Sequence, residues 1–126
     1  MKKVPVQKKP DAPPGSLRLV AGYLHRKGRG FDTEVGYISK PDGMTLMYDI
    51  GVLAGNGAKH QKERGDCLWQ KEQIFQGSRA VLVLAKDRRL TVTFPDECAN
   101  FSGMVKTEQD LMDAILMLAT YPSGKS

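Results

Sequence analysis

The residue types best suited to chemistry in this chain of 126 residues gather around one stretch, YDIGVLAGNG, residues 48 to 57. Asp49 closes an apolar run, Gly51, Gly55 and Gly57 follow, and Asn56, Lys59 and His60 continue the same polar segment. A carboxylate and an imidazole are a minimal pair for acid–base work, provided both reach one substrate. Asp49 and His60 are such a pair, and with His25 they match the residue types of a two-histidine, one-carboxylate metal site. Spacing speaks against the metal: the histidines fall in separate polar segments without a close ligand repeat, as solvated histidines do. No metal and no cofactor are expected.

Glycine-rich turns aim backbone N–H groups at anions. GVLAGNG, however, is followed by no Gly-Lys-Ser/Thr and does not read GxGxxG, so neither phosphate-binding fingerprint applies. Ser16, Ser39, Ser78, Ser102 and Ser123 all lie outside a GxSxG setting, which removes the elbow that acyl transfer needs. Asp49 reads first as a structural carboxylate, paired with an arginine or bonded to backbone N–H groups of the glycine turn. An enzyme built on Asp49 and His60 ranks behind binding functions.

The elements that must position these residues are mostly strands. Short apolar or alternating runs punctuated by Gly, Pro and Asp predict strands over 17–24, 33–39, 44–50, 67–75, 79–86 and 90–94. MTLMYDI and LVLA are apolar on both faces and belong in the middle of a sheet. Leu90, Val92 and Phe94 alternate with Thr91 and Thr93, giving one dry and one wetter face. The segment TEQDLMDAILMLATYP is the one helix: Thr107 caps, Asp110 stands three residues on, Leu111, Ile115 and Leu118 recur at helical spacing, and Pro122 ends the run. The fold class is therefore α+β, an antiparallel meander of about six strands curled around one C-terminal helix, with a small β-barrel carrying a helix as the alternative. Residues 1–16, rich in lysine and proline, read as a disordered basic arm, 17–122 as one domain and 123–126 as a flexible tail.

Lys and Arg total 19 against 14 acids, a net charge of +5, which favours anionic partners. In a strict meander the first, third and fifth connections share one end. That end would gather Arg26, Lys27, Arg29, Lys59, Lys62, Arg64, Arg88 and Arg89 beside the glycine loop. The first reading is then a small non-catalytic binding or inhibitor module that recognises an acidic protein surface through this end. The alternative is a nucleic-acid-binding module using the same loops and the lysine-rich arm. Among Tyr23, Tyr37 and Tyr48, an exposed ring would favour single-stranded nucleic acid. Trp69 and Met44, Met47, Met112 and Met117 are expected in the core.

No apolar run approaches the ~20 residues that a bilayer crossing requires. The opening MKKVPVQKKP carries the charge of a signal peptide without its apolar region. The expected topology sets Cys67 and Cys98 about 20 Å apart at opposite ends of the sheet, beyond the ~7 Å that a disulfide spans. Two free thiols lean towards a cytoplasmic compartment.

Overall fold

A computed structural model describes residues 13–29, 33–51, 58–59 and 66–122. Seven strands form one antiparallel sheet: β1 (Leu24–Lys27), β2 (Glu34–Ser39), β3 (Thr45–Ile50), β4 (Cys67–Phe75), β5 (Ser78–Ala85), β6 (Arg89–Phe94) and β7 (Ala99–Met104). A C-terminal α-helix, α1 (Glu108–Leu118), follows. The spatial order is β1-β2-β3-β7-β6-β5-β4, so the sheet is open, with β1 and β4 at its edges. The α+β class, the antiparallel sheet and the C-terminal helix agree with expectation; the closed barrel does not form.

Turn chemistry fixes the hairpins. Gln76 and Gly77 both hold positive φ, 53° and 79°, which is the two-residue turn whose twist matches the strands it joins. Gly43 N–H donates to Lys40 O at 2.9 Å, with Pro41 and Asp42 (φ 58°) at the corners, a type II turn. Lys86, Asp87 and Arg88 make a three-residue link closed by Arg88 N–H to Ala85 O at 2.9 Å, with Arg88 at φ 75°.

Three expectations about the strands need correction. The run 17–24 is not a strand: Leu17 and Tyr23 are buried, but the segment bends over the core instead of pairing, and β1 begins only at Leu24. A strand that the sequence reading passed over, β7, lies at the centre of the sheet between β3 and β6. Its insertion makes β3 and β4 parallel and non-adjacent, so the connection over 51–66 is a crossover. Such a crossover needs a dozen or more residues whatever else it does, and the length of the glycine segment is accounted for by topology.

The core lies between one face of the sheet and α1. Phe94, Phe101 and Tyr121 pack edge to face with centroids 4.9 Å (Phe94–Tyr121) and 5.1 Å (Phe101–Tyr121) apart. Leu46, Leu82, Leu90, Met117 and Leu118 fill the remainder. Met44 and Met117 are in the core as expected, whereas Met47 and Met112 are exposed. α1 starts with a full capping box: Thr107 Oγ1 accepts from Asp110 N at 3.0 Å, and Asp110 Oδ2 accepts from Thr107 N at 3.3 Å. Tyr23 O–H donates to the buried Asp113 of α1 at 3.1 Å, and Gln109 donates to the other carboxylate oxygen at 2.8 Å.

Packing reaches into the stretch expected to be an arm. Pro14 is buried, and Ser16 Oγ donates to Thr120 O at 2.6 Å. Residues 1–12 and the tail 123–126 lie outside the described residues. No helix among the described residues is long and apolar enough to cross a membrane.

Candidate binding face

The face of the sheet turned away from α1 divides in two. On β5 and β6, Val83, Ala85, Thr91 and Thr93 point to this outer face and are nevertheless buried. Ala58, part of the crossover, is also buried there, and its N–H donates to Thr93 Oγ1 at 2.8 Å. Thr93 Oγ1 in turn donates to Asn100 Oδ1 at 2.7 Å. Thr93, expected on a wetter face, thus anchors the crossover instead, and Thr91 on the same face is buried.

Over β1, β2 and β3 no described element covers the outer face. Register sets Arg26 opposite Tyr37 and Tyr37 opposite Met47, with Ser102 of β7 next in the row. Side chains directly opposed across antiparallel strands lie about 5 Å apart at Cβ, so Arg26, Tyr37 and Met47 rise from neighbouring positions on this face. Tyr37 is 40% exposed and Met47 46%, while Leu24, one row lower, is 67% exposed. Gly28 makes room for the ring: a Cβ there would come within 3.2 Å of Tyr37 Cε2 and 3.1 Å of Val35 Cγ2. Gly28 N–H is tied to Val35 O at 2.8 Å, which seats the end of β1 beneath the aromatic.

The residues singled out from the sequence disperse. Arg26 and Lys27 belong to β1 itself, on opposite faces, and Arg29 is exposed just beyond. Lys59 is exposed next to Ala58. Gly55, Asn56, Gly57, His60, Lys62 and Arg64 lie outside the described residues. Arg88 and Arg89 stand at the other end of the sheet from Lys27 and Arg29: Arg89 pairs with Met104 and Ala99 with Phe94, while Glu34 pairs with Ile50 and Ile50 with Ala99. The expected single basic rim is therefore split, because β7 reverses the ends at which the later connections fall. Arg88 has structural work: its Nε donates to Val105 O at 2.9 Å and its guanidinium lies 3.6 Å from Glu108.

Asp49 does not end its strand. It lies on the outer face between Val35 and Asn100, half-buried, and Gly51 N–H bonds Cys98 O at 2.9 Å. His25 is on the opposite face, its ring stacked 5.7 Å from Tyr48 and its Nε2 sharing a 2.7 Å hydrogen bond with the Tyr48 hydroxyl. His25 and Asp49 are thus separated by the sheet and cannot ligate one ion together. Cys67 and Cys98 are free thiols at opposite ends. Burial pushes the Tyr121 hydroxyl up to about 12, with Glu97 and Glu34 adding to the shift. Tyr23 is raised further by burial and by Asp113.

Compared with known proteins, the chain matches no family model, no curated protein and no solved structure. The exposed face is the feature that pattern reading missed. Its signal was the alternation Val35-Tyr37-Ser39 against Ile38, which does not say which face meets water.

Proposed function

We propose that this chain is a non-catalytic binding module that holds single-stranded nucleic acid on the open outer face of β1–β2–β3. The observation that carries the reading is Tyr37, exposed on a regular strand with Arg26 on one side and Met47 on the other. Every nucleobase offers a π face, so a tyrosine exposed on a sheet face accepts bases without regard to sequence, at about 1–3 kcal/mol per stacked base. Arg26 supplies a planar cation for the adjoining phosphate. The net charge of +5 draws a polyanion towards the surface before contact.

Docking of an acidic protein on a single basic end loses its premise, since residues 26–29 and 88–89 stand at opposite ends of the sheet. Fluorescence anisotropy with a labelled oligothymidylate or oligouridylate at about 50 mM salt tests the proposal. Binding weakens steeply as salt rises, Tyr37→Ala lowers affinity about tenfold, and Arg26→Glu reduces the salt slope by about one. No binding at low salt, or unchanged affinity in both variants, refutes it.

A further inference from the structure

The long edge strand β4 and helix α1 frame a second surface. α1 covers the middle of the sheet and leaves β4 partly uncapped on the core side. A cleft of 450 Å³ remains there, lined by Trp69, Lys71, Gln73 and Phe75 of β4, Leu82 of β5 and Ile115 of α1, with Gln70 at its margin. The apolar lining runs on across the helix to Met112 and Leu116, both 56% exposed. Among the described residues β4 pairs only with β5, so its other side presents backbone N–H and C=O groups along the strand. An edge strand beside a cleft under a helix has the parts for adding a foreign strand: main-chain bonds give affinity, and alternate side chains enter the cleft.

The charges on β4 discriminate between occupants. A two-fold axis that pairs two copies of β4 antiparallel must lie between one residue and its own copy, since only then do side chains on the same face meet. The register that pairs all nine residues of the strand centres on Lys71 and sets Lys71 against its own copy. Like charges directly opposed destabilise a strand pair. Lys71 lies on the cleft side, opposite Leu82, and Glu72 on the outer side, opposite Val81. A complementary strand carries an acid facing Lys71, a base facing Glu72, and apolar residues facing Trp69 and Phe75.

We infer that β4 and α1 together bind an extended peptide of another protein as an added antiparallel strand, with apolar residues in the cleft and an acidic residue against Lys71. This surface is independent of the Tyr37 face, which lies on the other side of the sheet. Trp69, the one tryptophan of the chain, lines the cleft and reports occupancy directly.

The probe is the synthetic peptide Val-Thr-Leu-Lys-Glu-Thr-Ile, which sets Val against Phe75, Lys against Glu72, Glu against Lys71 and Ile against Trp69. Its titration into the full chain gives a saturable change in tryptophan emission. The charge-swapped peptide Val-Thr-Leu-Glu-Lys-Thr-Ile binds about tenfold more weakly, since two favourable pairs become repulsive. The protein variant Lys71→Glu/Glu72→Lys, altered only at exposed edge positions, reverses that preference. No saturable change, equal binding of the two peptides, or a concentration-dependent dimer in sedimentation that protects the β4 amides overturns the inference.

Discussion

At Gly36 a hydrogen in place of a methyl leaves room for the Tyr48 hydroxyl, which a Cβ would overlap. Tyr48 is 1% exposed and bonded to His25, so it has little freedom to withdraw. Gly36→Ala is expected to cost about 1–3 kcal/mol in urea unfolding, as overpacked sites do. Gly103→Ala costs more than Gly36→Ala in the same measurement, because its Cβ would meet the backbone carbonyl of Thr45, which cannot rotate aside. Arg88→Glu tests the structural role of that arginine. It loses the bond to Val105 O, sets two acids together at Glu108, and lowers stability by about 1 kcal/mol while leaving nucleic-acid affinity within about threefold.

Two buried tyrosines give the residue scale a pH signature. Their hydroxyls are raised above the ordinary value of 10.0, Tyr121 to about 12 and Tyr23 further. Above pH 10 the unfolded chain releases these protons while the folded chain keeps them, so the unfolded state binds fewer protons and stability falls as pH rises. The two tyrosines therefore lower stability as pH rises above about 10, Tyr121 up to about pH 12 and Tyr23 beyond it. Tyr121→Phe removes part of that decline, and a denaturation midpoint that stays constant to pH 12 in the parent chain would contradict the assignment.

At the scale of elements, α1 was legible because three independent signals coincide: the cap at Thr107, the helical spacing of Leu111, Ile115 and Leu118, and the stop at Pro122. Thr107→Ala is expected to lower stability by about 1 kcal/mol, with a matching loss of melting temperature followed by circular dichroism. The hairpin turns were legible for a similar reason, since Gln-Gly and Pro-Asp-Gly carry their own backbone geometry. β7 was not. Asn100, Ser102 and Gly103 are poor strand formers, and the strand forms because Ala99 and Phe101 enter the core while Gly103 allows close approach of β3. The run 17–24 failed in the opposite way: its apolar residues serve the core from an irregular cover over the sheet. Trp69, expected in the core, is half-buried in the cleft under α1, because an edge strand has no further neighbour to cover it.

At the scale of the whole molecule, class and sheet type were readable, whereas strand order was not, and the location of charge depends on strand order. One unrecognised central strand turned a return connection into a crossover, moved residues 88–89 away from residues 26–29 and dissolved the expected rim. The crossover residue Ala58 docks on the β6 side of the outer face through Thr93, and among the described residues nothing covers the β1–β3 side. What remains is a sheet face with one exposed tyrosine among an arginine and a methionine, on a molecule of net positive charge.

The most direct test of that account is a footprint: amide and side-chain chemical shifts of the full chain during titration with a short oligothymidylate. The account predicts the largest changes at Arg26, Gly28, Val35, Tyr37 and Met47, with upfield shifts of the Tyr37 ring protons from the stacked base. Changes centred on residues 86–89 or on the β4–α1 cleft, with Tyr37 unmoved, would contradict it.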